Sequence, residues 1–297
     1  VNPAAESTPD SVLERVVGRL GDVDGVVGLA LGGSRARGGA SAGADIDVGI
    51  YYREQAAPDL DALRAAAADL DDRGKPDGFG AYGEWGPWIN GGAWLRVEGF
   101  KTDFLFREIG RVEAVLDACE SGQVASAYQP GHPHCFVNHI YAGEVHDNVI
   151  LHDADGTMAR LRARTDPYPE ALADALMRSF GWEVGFALET AAGAADRGDV
   201  AYVTGCLYRA VACMVQALFA ADRTYLINEK GAVARVDGLA RRPERFAERT
   251  AQLLGSTGTS PEGLRSALDA AAELQRETRS VLEESGLTPA AGSSEKQ

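Results

Sequence analysis

The residues best placed to do chemistry in this chain are Asp45 and Asp47, which follow the pair Gly33-Ser34 after ten intervening residues. If the two aspartates open a β-strand they project from one face, because side chains alternate along a strand. At about 3.3 Å per residue they then stand roughly 6.6 Å apart. Bare carboxylates at that spacing repel and take up protons, whereas a divalent cation such as Mg²⁺ keeps them ionised and takes their oxygens as ligands. Gly33 and Ser34 supply a complementary function: glycines let a phosphate reach backbone N–H groups, and the Ser34 hydroxyl adds a donor. The alternative is a tight turn followed by a strand with exposed acids, but folding alone seldom needs two acids on one face of a strand start.

These residues need a strand on each side of the turn. Val26–Leu31 is apolar and reads as the first strand, residues 32–34 as a glycine-serine turn, and the second strand runs on to Tyr52. With those elements in place, Gly33-Ser34, ten residues, then Asp45-Ile46-Asp47-Val48 resembles the signature of nucleotidyltransferases of the DNA polymerase beta superfamily. The run Gly33-Ser34-Arg35-Ala36-Arg37-Gly38 resembles the small bacterial members, among them antibiotic nucleotidyltransferases of the aminoglycoside and lincosamide type and minimal nucleotidyltransferases.

The resemblance implies an α+β chain, with a mixed-sheet nucleotidyltransferase domain followed by an α-helical bundle. It implies Mg²⁺ on Asp45 and Asp47, a nucleoside triphosphate (ATP foremost) as donor, and its β- and γ-phosphates on Gly33 and Ser34 with Arg37. It also implies a third carboxylate on a later strand. Asp103, the one acid in the otherwise apolar core of the strand Lys101–Phe106, is the matching position. It would complete the metal set or take the proton from an acceptor hydroxyl; an edge-strand acid facing water is the alternative. In several resembled enzymes the helical domain adds a Glu as general base and a Lys towards the triphosphate. By position in the segment Tyr225–Gly231, Glu229 and Lys230 are the matches, with a capping or surface role as the alternative.

Composition bounds the reading. The 297 residues suit two domains, 1–164 catalytic and 165–287 helical, and 45% hydrophobic residues with 12 prolines indicate a globular chain. No apolar run approaches the roughly 20 residues that span a bilayer. The opening VNPAAESTPD shows neither basic start nor apolar core of a signal peptide. Four cysteines without CxxC spacing fit a reduced, cytoplasmic setting. A net charge of −15 argues against nucleic acid as partner, whose affinity comes mainly from Lys and Arg, and suits a small, cationic acceptor; simple solubility charge is the alternative.

The rest of the chain gives the frame. Ser11 with Glu14 reads as a capping box opening a short helix, and Pro58-Asp59 starts a second one that ends in Asp69, Asp71 and Asp72, read as a solvated face. Residues 76–92 interleave six glycines with Phe79, Tyr82, Trp85 and Trp88, either a hairpin or loop over the sheet edge or an aromatic wall for nucleobase or acceptor. All five histidines fall between His132 and His152, with spacings that match no closed zinc set. Helices are expected over 108–119, 135–142, 157–164, 170–196, 200–221, 243–254 and 261–284, and a disordered tail from Thr288. Asp153-Ala154-Asp155-Gly156 resembles the turn that closes the catalytic domain in such proteins, and is no second metal site. The helical RNase partners of minimal nucleotidyltransferases use an Arg-x4-6-His motif, and no histidine follows His152, so the chain does not resemble a fused toxin ribonuclease. The acceptor is then a small hydroxylated molecule, an antibiotic among the options, or a protein receiving AMP; a non-catalytic nucleotide-binding module is the third reading. A homodimer is implied by analogy alone.

Overall fold

The computed structural model describes residues 7–39, 41 and 43–287. In chain order these form α1 (Pro9–Leu20), β1 (Val26–Leu31), α2 (Gly33–Ala36), β2 (Ile46–Tyr52), α3 (Leu60–Leu70), β3 (Asp77–Gly80), β4 (Gly92–Val97) and β5 (Phe100–Glu108). Then follow α4 (Ile109–Glu120), β6 (Ser126–Ala127), β7 (Phe136–Val137), α5 (Ile140–Asp147), β8 (Val149–Asp153) and α6 (Thr157–Ala163). The last five helices are α7 (Glu170–Asp196), α8 (Val200–Ala221), α9 (Ala232–Val236), α10 (Phe246–Gly255) and α11 (Pro261–Glu284). The expected disordered tail lies outside the described residues.

The chain divides into two compact units. One takes the described residues up to Asp117 together with Tyr141–Pro167; the other takes Ala118–Ile140 and the described residues from Tyr168 onward. The sequence reading drew a single boundary at 164/165, which gave 118–140 to the catalytic half. That segment packs with the helices instead because its polar side chains find their partners there: His139 Nε2 lies 3.0 Å from Gln216 Oε1 on α8, both buried.

The first unit is built on a six-stranded sheet in the order β3-β4-β5-β2-β1-β8. Its neighbours pair antiparallel except β2 and β5, which are parallel, so the sheet is mixed as the α+β reading required. One face is apolar. Ile46, Val48 and Ile50 of β2, Phe104 and Phe106 of β5, and Ala93, Leu95 and Val97 of β4 join Val12, Val16 and Leu20 of α1 and Leu63, Ala67 and Leu70 of α3 in a single core. Strand alternation then sends Asp47, Asp103 and Trp94 to the opposite face.

Two local expectations are corrected. The first helix is capped by Thr8, not by Ser11 with Glu14: Thr8 Oγ1 accepts from Ser11 N, Ser11 Oγ accepts from Thr8 N, and Pro9 occupies the first turn. Asp71 is buried rather than part of a solvated face, and Asp72, though exposed, is tied to backbone donors. Asp71 accepts hydrogen bonds from Arg96 N at 2.9 Å and from the Arg73 guanidinium, and Asp72 accepts from Glu98 N and Gly99 N at 2.8 Å each. Both carboxylates therefore fasten the end of α3 to the β4–β5 turn, whose backbone donors would otherwise lack partners. Burial alone would raise the Asp71 carboxyl, but its hydrogen bonds to Arg73 and Arg96 bring it down to about 2.

In the second unit α7 and α8 lie against each other and α11 against both. The core is small and aliphatic: Leu172, Leu176, Val184 and Leu188 of α7 meet Val203, Leu207, Val211 and Met214 of α8 and Leu264, Leu268 and Leu274 of α11. Among the described residues α8 is long and apolar enough to cross a membrane, which the search for apolar runs had missed, yet 67% of that window is buried within the protein. The short pair β6–β7, the five-residue α9 and the onset of α5 at Ile140 rather than 135 were not foreseen.

Candidate active site

The turn after β1 is a four-residue helix, α2, whose first residue Gly33 has φ +63°. A Cβ on Gly33 would stand 1.8 Å from Oδ2 of Asp47, so the carboxylate lies directly over a position that only glycine can fill. Gly32 N–H donates to Asp47 O at 2.8 Å, which extends the β1–β2 pairing into the turn and fixes the turn beside the aspartate. Ser34 follows, half-buried, and Arg37 closes α2 with its side chain exposed.

Asp47 and Asp103 are direct partners in the parallel β2–β5 register. Their Cα atoms therefore sit about 5 Å apart on one face of the sheet, each side chain half-buried. β5 is an interior strand with β2 on one side and β4 on the other, so Asp103 is not an edge-strand acid. Asp45 is placed differently from the expectation. β2 begins at Ile46, which leaves Asp45 exposed in the connection just before the strand. Among the described residues no three His, Cys, Asp or Glu side chains gather closely enough to hold a metal. The register thus pairs Asp47 with Asp103, and Asp45 precedes the strand that carries Asp47.

The connection that carries Asp45 is held by a residue the sequence analysis passed over. Arg35 on α2 donates through Nη2 to Ala44 O at 2.6 Å and through Nε to Ala44 O and Asp45 O at 3.1 and 3.2 Å. It fixes the approach to β2 from within α2. Farther along the same face, Arg107 of β5 is 3% exposed, meets both carboxylate oxygens of Glu144 at 2.8 and 2.9 Å and lies over the Tyr141 ring. Tyr141 donates in turn to Trp88 O.

Glu229 and Lys230 belong to the second unit. Oε2 of Glu229 accepts from Tyr208 Oη at 2.7 Å and from His134 N at 2.9 Å, and Oε1 lies 3.8 Å from His132 Nδ1. Arg209 joins the same cluster, donating to Glu183 at 2.5 Å and lying 2.8 Å from His134 Nδ1. Burial, and then the Arg209 charge, lower His134 to about 4. Lys230 is exposed, its backbone N–H bonded to Asn228 Oδ1. Elsewhere His146 meets Asp147 at 2.7 Å and His139 meets Gln216. Asp153 and Asp155 cap α6, accepting from Met158 N, Ala159 N and Thr157 N.

The donor set at Asp47 and Asp103 fits a hard divalent cation. Carboxylates come from two adjacent strands, and the missing side chain at Gly33 lets the Asp47 carboxylate lie against the turn. Comparison with known proteins gives the same region. Residues 13–84, which hold Gly33, Ser34, Asp45 and Asp47, match the model of the nucleotidyltransferase domain, and residues 139–230, ending at Lys230, match that of a domain of unknown function, DUF4037. Among solved structures, a nucleotidyltransferase-like protein from Exiguobacterium sibiricum 255-15 is similar at 9% identity with a TM-score of 0.45, over 94% of this chain and 78% of that one. No curated protein matches the chain.

Proposed function

We propose that the chain, whose residues 13–84 match the model of the nucleotidyltransferase domain, moves a nucleoside monophosphate from ATP, with Mg²⁺, to a hydroxyl of a small acceptor, releasing pyrophosphate. The observation that carries the reading is the in-register pair Asp47–Asp103 with the Asp47 carboxylate over Gly33. It supports the reading because two carboxylates then stand beside the glycine-serine turn.

In this reading the backbone of Gly33 and the Ser34 hydroxyl bind the β- and γ-phosphates, with Arg37 closing over them. Asp47 and Asp103 hold the cation, and Asp45 joins them from the connection that Arg35 pins. When bound, the cation stabilises charge on the entering and leaving oxygens, a contribution of several kcal/mol. Asp103, on the strand farther from the phosphate turn, accepts the proton of the acceptor hydroxyl as its oxygen attacks the α-phosphorus in line and the pyrophosphate oxygen departs. The acidic balance of −15 supports a cationic acceptor such as an aminoglycoside. Supply of ATP and four free cysteines support a cytoplasmic setting.

The test needs no acceptor. ATP, GTP, CTP and UTP are titrated calorimetrically, with and without Mg²⁺, into wild type and into Asp45→Asn/Asp47→Asn. Magnesium-dependent binding of ATP by the wild type alone is the expected result; no binding of any nucleotide would move the non-catalytic reading forward. Transfer is then followed with α-labelled ATP, where label on a polypeptide would make the acceptor a protein. Glu229→Gln tests the helical unit's share: a lower kcat at unchanged ATP affinity would assign Glu229 as base, and an unchanged kcat would leave it to its own cluster.

A further inference from the structure

Five strands contribute to one row across the site face. Gly32, at the end of β1, donates to Asp47 O; Asp47 pairs with Asp103, Asp103 with Trp94, and Trp94 with Asp77. At about 4.8 Å per strand, the Trp94 Cα stands about 10 Å from that of Asp47, on the side away from the phosphate turn. Trp94 is 48% exposed although it lies in the fourth position of a central row. Its indole is braced rather than mobile. Trp85 stacks on it with centroids 4.7 Å apart and planes 13° from parallel. Gly78, at φ +55°, has its backbone so close that a Cβ would come within 2.3 Å of the Trp94 ring.

What sets Trp94 apart from more exposed rings such as Trp182 is its place: it is held by Trp85 and stands next to Asp103 in the row that carries Asp47. Which substrate lies there follows from the direction of the reaction. In-line displacement places the entering oxygen opposite the departing pyrophosphate. With pyrophosphate at Gly33 and Ser34, the nucleophile enters from the Asp103 side, where Trp94 is the next residue in the row. An indole face binds cations through its ring quadrupole, and carboxylates complement them. Of the cations near the row, Arg73 is tied to Asp71 and Asp77, and Arg96 is turned to Gly99 O at 2.8 Å; Lys101 projects from the following row, nearer the strand end.

We propose that Trp94, braced by Trp85, is the platform on which the acceptor stacks, and that the acceptor is a hydroxylated ring bearing amines, its hydroxyl directed at Asp103. The assignment rests on the transferase reading above, so the test keeps the two apart. Wild type, Trp94→Ala, Trp94→Phe and, as control in the helical unit, Trp182→Ala are first titrated with the non-transferable analogue α,β-methylene-ATP and Mg²⁺. The loaded proteins are then titrated with kanamycin A, spectinomycin and lincomycin. Equal analogue affinity in all four proteins is expected, with at least one probe bound by wild type, Trp94→Phe and Trp182→Ala and weakened tenfold or more by Trp94→Ala. Failure of wild type to bind the analogue would sink the transferase reading. With the analogue bound, the platform is overturned if no probe binds wild type or if Trp94→Ala binds it equally well. A loss confined to analogue affinity in Trp94→Ala would also overturn it, assigning the indole to the nucleobase.

Discussion

A single close approach, the carboxylate of Asp47 over the α-carbon of Gly33, decides how the site can be altered. Gly33→Ala adds a methyl where 1.8 Å separates it from Oδ2 and forces a left-handed residue to carry a Cβ. The expected cost is about 1–3 kcal/mol in stability. Displacement of Asp47 by about 1 Å should lower kcat about 100-fold, read by thermal denaturation beside the transfer assay. Asp47→Asn, by contrast, keeps the shape and should leave the melting temperature within about 2 °C while activity falls at least 100-fold; full activity would refute the role given to it. The turn at Gly33 and the strand carrying Asp47 were legible because the types and spacing of Gly33, Ser34 and Asp47 have few other uses. Arg35 was not: its importance comes from meeting the carbonyls of Ala44 and Asp45 across a loop, and nothing in its type distinguishes it from Arg37.

Among elements, the strands β2 and β5 do most to position the chemistry, and β5 is anchored at its far end by Arg107. Its guanidinium is 3% exposed and bidentate on Glu144, which keeps 27% exposure. Desolvation disfavours the charge on Arg107, but the adjacent carboxylate outweighs it and holds the group firmly protonated. Arg107→Met leaves Glu144 without its partner and should cost about 3 kcal/mol, whereas Arg107→Met with Glu144→Leu should recover most of that loss. Equal urea midpoints for the single and double variants would contradict this. The long helices α7, α8 and α11 were visible end to end because their apolar periodicity runs through several turns. β6, β7 and α9 were not, since two to five residues cannot display a period. Asp71 and Asp72 misled for a related reason: acids at a helix end look solvated until the turn they fasten comes into view.

For the molecule as a whole, acid should act on the two units in separate ranges of pH. His139 is buried and lowered to about 4 by that burial, partly offset by Gln216, and His134 is lowered to about 4. A histidine depressed in the folded state stays neutral while the unfolded chain takes up a proton, so stability of the helical unit is intact above pH 6.5 and falls towards pH 4. For His139 alone this amounts to roughly 3 kcal/mol. Asp71 in the other unit is depressed from 3.8 to about 2, so its contribution is present above pH 3.8 and is shed only as pH falls towards 2. Trp85, Trp88 and Trp94 all lie in the first unit and Trp182 in the second. In Trp182→Phe, tryptophan fluorescence should therefore hold to lower pH than the helical signal at 222 nm. Coincident loss of both signals would contradict separate ranges.

The path of the chain between the units bears on how the protein is made. β1, β2 and β5, the strands that carry the glycine-serine turn, Asp47 and Asp103, have all been synthesised by Glu108. Yet β1 pairs on its other side with β8, which the ribosome adds only after the excursion of residues 118–140 into the helical unit. Until Asp153 emerges, β1 keeps a bare edge, Val26 to Leu31, whose backbone is free to pair with any other extended chain. A nascent chain stalled in that interval has its site residues in hand and its sheet still unclosed.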